Sequence, residues 1–153
     1  MRQPSAAAPA SGPANQSSRV NDSLAGLIED SKTVGFYQKK IGIDPVVGWL
    51  VCLQGPERGR DYRIHAGQNF IGRSYEMDII VSDDEQVSRE RHCAIIFDPS
   101  GNEFYLVPGQ GTQTTLNNNL LIDSAALKEG DRIQAGGSTF VFVPFSQEGH
   151  TWQ

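Results

Sequence analysis

Two short stretches of this chain, Phe70-Ile71-Gly72-Arg73-Ser74 and Val87-Ser88-Arg89-Glu90-Arg91-His92, gather arginines and hydroxyls suited to holding an anion. A guanidinium stays charged at any ordinary pH and offers forked donors, and a hydroxyl adds a donor that rotates to suit its acceptor. Together they match a phosphate group, which carries close to two negative charges and three strong acceptor oxygens. The same residue types admit a plainer reading. Arg73, Ser88 and Arg89 are then ordinary loop residues paired with nearby carboxylates, an arrangement worth little in stability. Residue types alone leave the two readings level.

Catalysis fits these residues poorly. A nucleophilic Ser88 needs a base within hydrogen-bonding reach and a third group to orient that base. Here the serine is followed by Arg89, Glu90 and Arg91, without a Gly-x-Ser-x-Gly elbow, and no complete nucleophile, base and oxyanion set is visible. The chain is therefore not expected to be an enzyme. His92 and Cys93 are neighbours in an extended segment and project to opposite faces, so they cannot readily share an ion. No metal or cofactor is expected. His65 and His150 read as isolated surface residues.

These loops need a scaffold, and the sequence beyond Pro45 supplies short apolar runs separated by turn residues. Strands are expected at Gly48 to Leu53, Arg60 to Ile64, Asn69 to Gly72, Asp78 to Val81 and His92 to Asp98. Further strands are expected at Glu103 to Val107, Thr114 to Leu116, Leu120 to Asp123, Asp131 to Ala135 and Ser138 to Phe145. Gly55-Pro56-Glu57-Arg58-Gly59 and Ala135-Gly136-Gly137-Ser138 read as hairpin turns. Ser124 to Lys128 is the one segment of this part that looks helical. About ten to eleven strands with turns this close together predict an all-β, two-sheet sandwich. Trp49, Ile79-Ile80-Val81 and Ala94-Ile95-Ile96-Phe97 read as core, and Cys52 and Cys93 as small core residues. Trp152 either caps the sandwich or stands exposed.

Residues 1–44 form a separate unit. The first 18 are mostly Ala, Pro, Ser and Gly, too poor in large apolar groups to pack, and are expected to be disordered. Ser23 to Ile28 allows a short amphipathic helix. Charge divides the same way: residues 1–44 carry five basic and four acidic groups, and residues 45–153 carry 8 basic and 14 acidic, a net of −6. An acidic domain is a poor general binder of nucleic acid, whose phosphates repel it. Within that domain seven of the eight cations are arginine and only Lys128 is lysine, a bias toward forked contacts. The N-terminus carries no apolar signal stretch, and no run is long enough to span a membrane, so a soluble cytoplasmic protein is expected.

The order of the motifs shifts the balance toward the phosphate reading. Gly72-Arg73 after a strand, then Ser88 with His92, then Asn117, then Leu127-Lys128-Glu129-Gly130-Asp131-Arg132-Ile133, resembles the forkhead-associated (FHA) domain, a phosphothreonine-binding β-sandwich. The likeness covers about residues 46–145. It implies that Arg73 and Ser88 bind phosphate with Arg89 beside them, that Gly72 shapes the loop, and that His92 packs or hydrogen-bonds beneath it. It implies that Asn117 ties down the loop bordering a peptide groove. It also implies a phosphothreonine-bearing partner, a Ser/Thr protein kinase upstream, and no nucleic acid or membrane. The chain departs from the family pattern twice. Three residues, rather than two, stand between Ser88 and His92. Thr112-Gln113 stands where the family carries the Asn-Gly that grips the ligand backbone, and Asn117 is followed by Asn118 rather than Gly. Thr112 or Gln113 is then the substitute hydrogen-bonding group. The competing expectation is a structural protein-protein scaffold whose phosphate site has decayed.

Thr33 is a candidate phosphoacceptor. It sits in Glu29-Asp30-Ser31-Lys32-Thr33-Val34-Gly35-Phe36, with acids before it and an aromatic three places after. A tether of about a dozen residues to Pro45 spans roughly 20 Å and gives an effective concentration near ~1 mM. Phosphorylated Thr33 could thus close over Arg73 and Ser88. Alternatively, Val34 to Ile43 is an extra strand or crossing segment packed on the sandwich.

Overall fold

A computed structural model describes residues 41–152. Thr33, the Ser23–Ile28 helix and the expected disorder of the first 18 residues lie outside them. No helix among the described residues is long and apolar enough to cross a membrane.

Eleven strands form two facing sheets. In chain order they are β1 Val46–Gln54, β2 Asp61–His65, β3 Gly67–Gly72, β4 Ile79–Ile80, β5 Cys93–Asp98, β6 Glu103–Pro108, β7 Thr114–Leu116, β8 Asn119–Leu120, β9 Ala125–Leu127, β10 Arg132–Ala135 and β11 Ser138–Pro144. One sheet runs β2-β1-β11-β10-β7-β8 and the other β4-β3-β5-β6-β9. Every pair is antiparallel except β3 with β4, whose register sets Ile71 against Ile79. The all-β sandwich expected from strand and turn signals is therefore the fold.

Alternation explains the sheets. In β2 Asp61 and Arg63 face solvent while Tyr62 and Ile64 are buried, the period of two that a half-buried strand requires. Leu50, Ile64, Ile71, Ile95, Leu106, Ile133, Phe140 and Phe142 meet in one core with Cys52 and Cys93. Phe104 of one sheet meets Phe142 of the other edge-on, their ring centroids 4.8 Å apart.

Some expectations need correcting. Ser124 to Lys128 is not helical: Ala125–Leu127 is β9, paired antiparallel with Leu106, Tyr105 and Phe104 of β6. Strong helix formers yield here because three residues cannot nucleate a helix and the open flank of β6 satisfies their backbone. The strand placed at Leu120 to Asp123 is instead Asn119–Leu120. Trp49 is only half-buried, on the outward side of β1, with its ring edge-on to Phe145 at 6.3 Å. His65 is not isolated, since its Nδ1 lies 3.1 Å from the Pro45 carbonyl and 3.6 Å from the Asp44 carboxylate. Trp152 takes the capping role: its indole N–H donates to the Val46 carbonyl at 2.8 Å and its ring stacks on Phe145.

Burial also sets a chemical expectation. It pushes the Cys93 thiol from its ordinary 9.0 up to about 12. The Tyr62 hydroxyl is raised as well, by burial and by the Glu57 carboxylate to which it donates at 2.6 Å. Both groups stay protonated in the fold at pH values where an unfolded chain already ionises. The stability these two groups contribute is therefore fully present below about pH 9 and falls as pH rises beyond it, because ionisation favours the unfolded chain. Urea midpoints measured from pH 7 to 11 should decline above pH ~9, and thiol reagents should label Cys93 only as fast as the domain opens. Rapid stoichiometric labelling of the native protein at pH 8 would contradict this.

Candidate functional site

The loops of interest share one end of the sandwich. β3 ends there at Gly72, β5 begins there at Cys93, β6 ends there at Pro108, and the β10–β11 turn at Gly136-Gly137 closes over the same end. Loop 73–78, loop 81–92 and loop 109–113 are thereby gathered.

Arg73 and Ser88 meet directly. The Arg73 backbone N–H donates to the Ser88 carbonyl at 3.0 Å, and the next amide, Ser74, donates to the Arg89 carbonyl at 2.9 Å. The Arg73 side chain then turns back and donates through Nε to the Val87 carbonyl at 2.6 Å. One edge of the guanidinium is thus held by the backbone, and its terminal nitrogens have no hydrogen-bond partner among the described residues. Among the described residues, Arg73, Arg89 and Arg91 form no ion pair with any carboxylate. The plainer account, in which loop carboxylates pair the arginines, finds no such pair among the described residues. The Ser88 hydroxyl likewise has no hydrogen-bond partner among the described residues, and both Arg73 and Ser88 are partly exposed.

Gly72 is required for a different reason from the one its position suggests. Its φ is not in the left-handed region, so backbone freedom is not the issue. A Cβ there would come within 2.7 Å of the Arg89 carbonyl oxygen and 2.9 Å of Met77. The two loops cross at that point, and only a residue without a side chain lets them touch.

His92 locks the loops from below. It is buried, and its Nδ1 accepts from the Ser88 N–H at 2.9 Å. The proton on the ring must then sit on Nε2, which donates to the Gln113 carbonyl at 3.0 Å. One imidazole thereby connects the serine loop to the β6–β7 loop. Thr112 adds to the same joint, its hydroxyl donating to the His92 carbonyl at 2.6 Å. This turns the Thr112 hydroxyl inward, while the Gln113 side chain faces solvent. Gly109 permits the joint, because a Cβ there would lie 2.3 Å from the Arg91 carbonyl oxygen and 2.5 Å from that of His92.

The extra residue between Ser88 and His92 is absorbed at Arg91. Its φ of 50° places it in the left-handed region, and its guanidinium lies over the Phe70 ring at 4.4 Å. Both Arg89 and Arg91 are exposed; Arg91 is engaged on the Phe70 ring of β3, whereas Arg89 is the next residue after Ser88. Asn117 stands apart from these groups. With Asn118 it forms the two-residue turn between β7 and β8, both residues at positive φ as a type I′ turn demands. Its side-chain amide donates to Asp131 at 3.0 Å and its oxygen accepts from the Arg132 N–H at 2.9 Å. Asn117 therefore braces the turn against the approach to β10.

Residues that sequence reasoning passed over hold the serine loop from its other side. Asp84 is buried, accepts from the Gly137 and Gln86 N–H groups at 2.9 Å each, and accepts from the Ser138 hydroxyl at 2.5 Å. Glu57, also buried, accepts from the Asp83 N–H at 2.8 Å. Buried Asn69 bonds to the carbonyls of His65, Gly67 and Ile95 and fixes the start of β3. Asp84 stands within Asp83-Asp84-Glu85, and the Gly137 and Ser138 groups it holds lie more than fifty residues away, so no local signal marked that role.

The family model for the FHA domain matches residues 69–136, the span from buried Asn69 to the β10–β11 turn. A solved FHA domain described for phosphothreonine-dependent interactions is 32% identical, with a TM-score of 0.55, over 63% of this chain and 94% of that one. This chain belongs to the FHA domain family. A second solved member, the FhaA FHA domain complexed with the intracellular domain of Rv3910, is 31% identical with a TM-score of 0.54 over 62% of this chain and 98% of that one. The glycogen accumulation regulator GarA of Mycobacterium tuberculosis is 33% identical over 108 residues. That match takes in 71% of this chain and spans only 64% of GarA.

Proposed function

We propose that this FHA chain is a non-catalytic adaptor that binds phosphothreonine peptides through Arg73 and Ser88, with Arg89 beside them. The carrying observation is the guanidinium of Arg73, anchored by Nε to the Val87 carbonyl, unpaired with any described carboxylate and next to a serine whose hydroxyl has no partner among the described residues. A dianion arriving there meets aimed donors whose ordering has already been done by the fold. Gly72 and His92 are structural in this reading. Gln113 is the exposed group at the ligand-backbone position, and Thr112 contributes through the joint it makes with His92. Asn117 acts at one remove, by fixing the β7–β8 turn. Similarity to domains described as phosphothreonine-dependent, and to a regulator in mycobacteria, supports the reading.

The finer part of the proposal concerns regulation. A Ser/Thr protein kinase supplies the phosphothreonine on a partner, and Thr33 of this chain is a second substrate whose phosphorylated segment competes for the same pocket. The test is a titration with a phosphothreonine peptide, its phosphoserine twin and its unmodified form. Binding should be strongest for phosphothreonine and absent for the unmodified peptide. Phosphorylating the full chain should then weaken that binding, and a Thr33→Ala chain should escape the effect. Failure of every phosphopeptide to bind a folded chain would favour a structural scaffold with a decayed phosphate site.

A further inference from the structure

At the pole opposite the arginine loops the two sheets part to leave a groove of about 310 Å³. The opposition follows from strand direction: β6 runs away from the groove at Glu103 toward Gly109, and β11 runs into it from Ser138, which touches Asp84, to Pro144. The floor is the apolar seam of the sandwich, made by Phe104, Phe142 and Leu127. The rim carries Glu103, Glu129 and Glu148, all exposed, against a single cation, Lys128. Thus one pole of the molecule gathers arginines and the other gathers carboxylates around the edge of the apolar seam.

A second observation points to an occupant. Ser146 lines this groove and is only 1% exposed, yet its hydroxyl has no hydrogen-bond partner. A buried hydroxyl without a partner costs about 1–3 kcal/mol, which a donor brought into the groove would offset. The walls are fixed rather than loose. The Asp131 carboxylate accepts from the Lys128 N–H at 2.8 Å and from Asn117, and the Gly130 N–H donates to the Phe142 carbonyl at 3.0 Å. The Ser146 N–H donates to the Val47 carbonyl at 2.9 Å.

We propose that this groove is a second docking site, taking a peptide segment of a partner protein that places a lysine or arginine next to an apolar side chain. The apolar residue seats on Phe104 and Leu127, the cation meets Glu129 and Glu148, and a backbone or side-chain donor satisfies the Ser146 hydroxyl. Charge complementarity selects the basic segment and weakens with salt. With the phosphate pocket at the far pole, two segments of one partner, or two partners, can be held at once.

The test uses the full chain and a fluorescent peptide, Gly-Leu-Arg-Phe-Lys-Leu-Gly, with a control in which Arg and Lys are replaced by Glu. The basic peptide should bind and shift backbone NMR signals at 102–104, 126–129 and 142–148, whereas the acidic control should not bind. A Glu103→Gln, Glu129→Gln, Glu148→Gln chain should bind it at least tenfold more weakly, and Ser146→Ala a few-fold more weakly. An Arg73→Ala chain should bind it unchanged, which separates this site from the phosphate reading. Equal affinity in the triple variant, or shifts confined to loops 73–92, would overturn the proposal. So would markedly tighter binding by a Lys39→Glu, Lys40→Glu chain, since that result assigns the groove to this chain's own basic segment.

Discussion

Replacing Arg73 with alanine is expected to weaken phosphothreonine-peptide binding at least a hundredfold while the domain stays folded. The magnitude follows from the bonds lost. Charge-assisted hydrogen bonds contribute about 1.5–3 kcal/mol each, and two of them from one guanidinium correspond to a factor of ~100 or more. The cost to the fold is smaller, because the Nε bond to the Val87 carbonyl is a single contact to a neutral group. Arg73→Lys should recover little of the loss, since an ammonium cannot both hold the Val87 carbonyl and present a fork to phosphate. Calorimetric titration of the two variants against wild type decides the matter. A dissociation constant for Arg73→Ala within threefold of wild type would remove the central role given to this side chain.

The second large effect is expected at His92, and it should appear in stability and affinity together. An alanine there leaves the Ser88 N–H and the Gln113 carbonyl without their imidazole partners and opens a void beneath both loops. Unsatisfied buried groups and lost packing together cost roughly 2–4 kcal/mol. Affinity should fall about tenfold, because Ser88 is no longer held against Arg73 and its ordering must come from the ligand. Urea denaturation gives the first number and peptide titration the second. Amide exchange at Ser88 distinguishes loosening of the loop from general unfolding. A loss of stability below about 0.5 kcal/mol, with protected Ser88 exchange, would mean that the joint is not what holds the loops.

Much of this architecture was legible because alternation and turn chemistry are local. Asp61 to His65 shows its period of two in five residues, and Ala135-Gly136-Gly137-Ser138 declares its hairpin outright. What escaped was set by contacts between distant segments. Ala125 to Leu127 pairs with β6 because that edge was open, which no property of Ser124-Ala125-Ala126-Leu127-Lys128 announces. The parallel pairing of β3 and β4 was hidden for the same reason. At the candidate site, Arg73 and Ser88 stood out by type and order, and their adjacency agrees with that reading. The need for Gly72 was visible but its cause was not, since the crowding atoms belong to Arg89 and Met77. The inward bond of Thr112 and the stacking of Arg91 on Phe70 depend on where loops cross, and sequence spacing carries no record of that.

The chain's two indoles, Trp49 and Trp152, both gather around Phe145 near Val46, at the end of β1 away from the Arg73 and Ser88 loops. Ultraviolet emission from this protein should accordingly serve as a one-sided optical probe, unchanged by a ligand at the Arg73 loops and sensitive to what happens around Phe145.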